Sequence, residues 1–246
     1  MRNNTATEMK TVRFAKMVLL FSLLSPFSYG QDKTTSNRLV SKNDSNTCGI
    51  IEYAGFTYHT VIIGTQCWMV ENMNIGKWLD QGLLQYHTNN SIIEKYCYGN
   101  DFVNCDLWGG LYQWEEAMQY TTGDSNQGIC PRCWHVPESR EWATLINFLG
   151  GNSIAGAKLK STGSRDWRVP NVGAKDSYGF TAFPGGYFDY MAQRWTGQFT
   201  IGHYWSSTIM EKGTAVALTL TNTNADADLD EEFMPFALSV RCIKNH

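Results

Sequence analysis

The sequence predicts a mixed α+β domain behind an export leader. Three observations carry this. Two helical patterns lie in the first two thirds of the chain, short β-branched runs gather toward the end, and Gly-, Ser- and Asn-rich stretches separate them.

The first thirty residues have the layout of a signal peptide. Arg2, Lys10, Arg13 and Lys16 form a basic region. Met17 to Leu24 is apolar apart from Ser22, and the run reaches Phe27 through Ser25 and Pro26. Ser28 and Gly30 put small residues at the −3 and −1 positions, which predicts cleavage before Gln31. Met9 offers a second start with a more compact leader. The apolar run falls short of the ~20 residues that span a bilayer, and no later run is long enough. No cysteine follows the cleavage site closely, so a lipid anchor is not indicated. The expected location is the cell surface or the medium. Without residues 1–30 the chain loses four Lys/Arg and one Glu and carries a net charge of −6. That balance argues against nucleic acid as a partner, because phosphate binding needs a concentrated positive surface.

Residues 31–47 are polar and predict a flexible linker, with the domain running from 48 to 246. Tyr58 to Ile63 is β-branched and bounded by Gly55 and Gly64, which predicts a strand. Gln66 to Met73 continues as an extended segment. Gly110 to Tyr120 predicts a helix, since Leu111, Trp114 and Met118 recur at helical spacing. A second helix opens at Pro137, carries Trp142, Leu145, Ile146 and Leu149 on one face, and closes at Gly150-Gly151. Residues 150–202 read as a long loop region with aromatic islands. Strands are expected at His203 to Ser206, Ala215 to Leu220 and Ala237 to Ile243, with an acidic loop from Asp226 to Glu232.

The chemistry-bearing residues are few. No Gly-x-Ser-x-Gly, His-Glu-x-x-His or Gly-x-x-x-x-Gly-Lys motif is present, and none of the five histidines has a neighbour at metal-ligand spacing. Asp226, Asp228 and Asp230 fit a calcium site by their hard oxygens. They fit a solvated acidic loop as well, since the Gly of an EF-hand loop is missing. Otherwise no cofactor is expected. Tyr190 and Trp195, in the Gly-rich region, are candidates for exposed ligand contacts. Seven cysteines follow the leader, so at least one is unpaired or joined to another chain. Cys130-Pro-Arg-Cys133 has redox spacing, but the following helix starts only after Pro137, too late to favour a thiolate at Cys130.

Six segments in order resemble one family. They are Tyr58-His59-Thr60-Val61-Ile62-Ile63-Gly64-Thr65-Gln66-Cys67-Trp68-Met69, Leu111-Tyr112-Gln113-Trp114, Gly128-Ile129-Cys130-Pro131 with Trp134-His135-Val136-Pro137, Gly179-Phe180-Thr181-Ala182-Phe183-Pro184-Gly185-Gly186-Tyr187, Tyr204-Trp205-Ser206-Ser207-Thr208, and Ser239-Val240-Arg241-Cys242. Together they resemble the Fibrobacter succinogenes major paralogous domain family, over about residues 53–243. The resemblance implies an exported protein of Bacteroidetes-type bacteria with a C-type-lectin-like fold, also used by formylglycine-generating enzymes. It implies disulfides Cys97–Cys105 and Cys130–Cys242, with Cys48–Cys67 as a third pair and Cys133 left over. The chain departs from the family pattern at Cys133, where Gly is common, and at Glu138, where a capping Thr is common.

Three functions follow as expectations. One is a recognition module for a glycan or a cell-surface protein. A second is an oxidase related to formylglycine-generating enzymes, which needs a reactive cysteine pair. A third is a structural surface protein without a small ligand.

Overall fold

The computed structural model describes residues 46–79, 88–121, 127–163 and 165–245. The leader, linker residues 31–45, His87 and His246 lie outside the described residues. Asn46 is already docked, its carbonyl accepting from the Ile62 N–H at 3.0 Å.

The chain begins with a meander of β1 (Ile50–Tyr53), β2 (Phe56–Ile63) and β3 (Gln66–Met69). β-branched residues fill β2, and Val61 and Ile63 are buried. A short parallel pair follows, β4 (Lys77–Trp78) with β5 (Glu94–Lys95). Helix α1 (Phe102–Trp108) is capped by the Asp101 carboxylate, which accepts from the Val103 N–H at 3.0 Å. Next come β6 (Tyr112–Gln113), the single turn α2 (Trp114–Ala117) and β7 (Trp134–His135). Helices α3 (Ser139–Phe148) and α4 (Asn152–Leu159) follow. The last third is β8 (Tyr187–Asp189), β9 (Arg194–Thr196), β10 (Ile201–Ile209), β11 (Thr214–Thr221), β12 (Asp228–Phe233), β13 (Ala237–Leu238) and β14 (Ile243–Lys244).

The larger sheets are antiparallel. Their orders are β1-β2-β3-β14-β7, β6-β13-β8-β9 and β10-β11-β12. The fold class is mixed α+β, but with four α-helices among the described residues rather than the two expected. The helix expected at 110–120 is mostly not one. Tyr112 and Gln113 pair with Leu238 and Ala237 instead, and only Trp114–Ala117 turns. Helix α4 lies inside the stretch expected to be loop. Gly156 makes it possible, because a Cβ there would sit 1.9 Å from the Asp226 carbonyl oxygen. The acidic segment expected as a loop is mostly the edge strand β12. Its charges suit an unpaired edge.

Glu138 does not leave α3 uncapped. Its N–H donates to the Glu141 carboxylate at 2.8 Å, and the Ser139 N–H donates to the Thr208 hydroxyl at 2.9 Å. The core has two main clusters. One holds Trp114, Trp134 and Trp205. The other is built on Trp68 and Trp142, whose rings stack at 4.5 Å, with Trp167, Phe180 and Tyr204 around them.

Candidate functional site

Four rings form a ladder that runs from the surface into the domain. Phe233 is 54% exposed at the end of β12. Its ring centroid is 5.8 Å from Phe236, Phe236 is 5.9 Å from Tyr187, and Tyr187 and His203 meet edge to face at 5.3 Å. His203, on β10, is only 4% exposed.

Sheet register explains the assembly. Ala237 of β13 pairs with Phe188 of β8, which carries Phe236 to Tyr187. Side chains alternate along a strand, so β8 and β9 turn Tyr187, Thr196, Asp189 and Arg194 to the ladder. Phe188 and Trp195 point to the other face. Tyr187 stands directly across from Thr196 in the β8–β9 ladder. Burial pushes the Tyr187 pKa up, and the Glu232 and Asp189 carboxylates add to the rise.

The floor of the ladder is polar and unsatisfied. Among the described residues, both His203 ring nitrogens and the Thr219 hydroxyl oxygen are buried without a hydrogen-bond partner. Thr219 is directly across from His203 in the β10–β11 ladder. Glu232 Oε1 stands 3.4 Å from His203 Nε2, an ion-pair distance without hydrogen-bond geometry. Orphaned groups of this kind cost about 1–3 kcal/mol each. A cluster of them calls for an explanation, and a bound polar ligand supplies one. A neutral imidazole offers one donor and one acceptor. The rim adds Glu232, with its side chain 21% exposed, and Asp189, 3.9 Å from the exposed Arg194. The arrangement can stack a flat apolar face on its rings and hydrogen-bond hydroxyls at its floor and rim.

The other histidine in a polar cluster is satisfied. His135 Nδ1 meets Asn245 Oδ1 at 2.7 Å and Nε2 meets the Glu141 carboxylate at 2.9 Å. Burial pulls its pKa down, but the bonds to Glu141 and Asn245 outweigh that and hold it above the ordinary value. This pair ties β7 to α3.

Residues singled out in the sequence fall elsewhere. Half-buried Trp195 packs on Phe188 at 4.9 Å and Tyr98 at 5.2 Å, in a small cluster that also takes Tyr190. Both sit behind the ladder. Asp228 and Asp230 border a shallow pocket of about 350 Å³ shared with Asn147 and Asn152. Asn152 Nδ2 donates to Asp228 Oδ1 at 2.8 Å. Asp226 belongs to the loop packed on Gly156. Among the described residues no group of three or more His, Cys, Asp or Glu is placed to hold a metal ion.

Sequence reasoning missed Tyr187, His203, Glu232, Phe233 and Phe236 as a group. They come from three strands and the turn after the last, so no local spacing joins them. Their only signals were the Tyr187 aromatic island and the acidic run.

Three disulfides join Cys48 to Cys67, Cys97 to Cys105 and Cys130 to Cys242. Cys133 is free and exposed. Crosslinks of this density fit an extracellular compartment. Among the described residues no helix is long and apolar enough to cross a membrane.

No curated protein and no solved structure matches the chain. The model of the Fibrobacter succinogenes major domain matches residues 61–244, a span that takes in the entire ladder. The chain belongs to the Fibrobacter succinogenes major domain family.

Proposed function

We propose that the protein is an exported recognition module that binds a glycan on the Phe233–Phe236–Tyr187–His203 ladder. The observation that carries the reading is the unpartnered pair of buried polar groups on His203 and Thr219 behind a run of rings that opens to solvent at Phe233. Apolar walls with a few convergent polar groups are the usual make-up of a ligand site. Sugars present C–H faces to rings and hydroxyls to polar groups. The leader read from residues 1–30 and the lectin-like fold implied by the family resemblance agree with this role, the fold as analogy only.

The oxidase reading draws no support, since it needs two reactive cysteines and six of the seven are in disulfides. A glycan array probed with the secreted chain tests the proposal. Binding should fall at least about tenfold in Phe233→Ala, whose exposed side chain can be removed without emptying the core. Absence of binding to any glycan, or binding that ignores Phe233→Ala, overturns it in favour of a surface protein without a sugar ligand at this site.

A further inference from the structure

Resting on the glycan reading, we infer that the site prefers a sugar bearing a free, protonated amine over its neutral or N-acetylated counterpart. The rim supplies negative charge that, at Glu232, no lysine or arginine among the described residues offsets. Asp189 has Arg194 at 3.9 Å, but Glu232 has no Lys or Arg at ion-pair distance among the described residues, only the His203 ring.

The rings point the same way. An ammonium is attracted to the faces of Tyr and Phe, and Tyr187 and Phe236 lie 5.9 Å apart at an interplanar angle of 30°. An ammonium has three donors and no acceptor. At this rim one donor can reach the Glu232 carboxylate while the others face the rings or solvent. The sugar ring then stacks on the exposed Phe233, with a hydroxyl directed toward the unpartnered His203 and Thr219. An N-acetyl group would set a neutral, bulkier amide against the carboxylate and lose that attraction.

Calorimetric titration of the secreted chain with glucosamine oligomers and with N-acetylglucosamine oligomers of the same length is the test. It is run in mildly acidic buffer, where the sugar amine is charged. The expected result is binding at least about tenfold tighter for the amine form. The preference should shrink with added salt and disappear in Glu232→Gln. Equal binding or a preference for the acetylated oligomer overturns the inference and leaves the glycan reading standing. A preference that Glu232→Gln leaves intact overturns the assignment to this carboxylate. Binding of neither oligomer overturns the inference, and if no other glycan is retained on the array it overturns the glycan reading as well.

Discussion

Asn72 Oδ1 accepts two hydrogen bonds from the guanidinium of Arg241, from Nε at 2.9 Å and from Nη2 at 2.7 Å. Arg241 is completely buried, and none of its hydrogen-bond acceptors is a carboxylate. Nη1 donates to the carbonyls of Met69 and Phe180, and the Phe180 ring face lies 4.6 Å from the guanidinium carbon. Burial lowers its pKa. Neutral dipoles and a ring stand in for a counter-ion. Arg241 thereby fastens the last segment of the chain to the one after β3. Replacing Asn72 by Ala removes both bonds to the charge and should cost about 3 kcal/mol. The urea midpoint, with an unchanged slope, reads it. A loss under about 1 kcal/mol would mean that water takes over from the amide.

The disulfides should rank by the chain they enclose. Cys130–Cys242 spans a sequence separation of 112, and Cys97–Cys105 only 8. Loop-closure entropy in the unfolded chain gives the long bridge about 4.7 kcal/mol and the short one about 2.5. The double replacement Cys130→Ala, Cys242→Ala should therefore lower the unfolding temperature more than Cys97→Ala, Cys105→Ala. Scanning calorimetry of the two variants checks the order. A reversed order would show that local packing around α1 outweighs chain entropy.

What was legible in the sequence was whatever local pattern decides. The strand at Tyr58 to Ile63 and the helix carrying Trp142, Leu145 and Ile146 fold where periodicity puts them. Helix α4 was hidden for the opposite reason: Ala155, Gly156, Ala157 and Leu159 are buried nearly all round, so no single apolar face marks it. Helix α1 exposes Phe102, Val103 and Leu107, which inverts the expected pattern. Leu111, Trp114 and Met118 are all buried, so their spacing reports burial rather than a helix. Pairing of β6 with β13 decides the outcome, and that contact joins residues more than a hundred positions apart. The ladder was illegible for the same reason, since His203, Tyr187 and Glu232 meet only through sheet register.

Cys133 occupies a left-handed backbone position, with φ of 68°. A side chain there costs roughly 1–2 kcal/mol relative to the right-handed region, and glycine escapes most of that. Glycine also loses more entropy on folding, so the net gain of Cys133→Gly should be about 0.5–1 kcal/mol. The exposed thiol predicts one reactive group per native chain with a thiol reagent before reduction, and none in the variant. A native chain that shows no reactive thiol would place Cys133 in a bridge to a second molecule.

Alkaline pH should unfold the protein through its buried phenols. Tyr58 and Tyr204 are almost completely buried, and burial pushes each pKa up to about 12. Burial also raises Tyr112, which donates to the Ile75 carbonyl at 2.8 Å. In the unfolded chain these groups ionise near the ordinary value of about 10. Below that pH both states hold the proton and the stability is intact. Between about 10 and 12 the unfolded chain releases protons that the folded chain keeps, so stability falls as pH rises through the window. Burial also holds the Lys95 and Lys160 ammoniums down to about 8, which raises stability between about pH 8 and 10. Urea unfolding at stepped pH, with Cys133 alkylated to prevent disulfide exchange, should therefore show a midpoint that rises over that window and falls beyond pH ~10. Tyr204→Phe keeps the ring against Arg241 but deletes one of these protons and the bond to the Phe183 carbonyl at 2.7 Å. It should therefore be less stable at neutral pH and show a shallower alkaline slope. An unchanged slope would assign the alkaline loss to the other tyrosines.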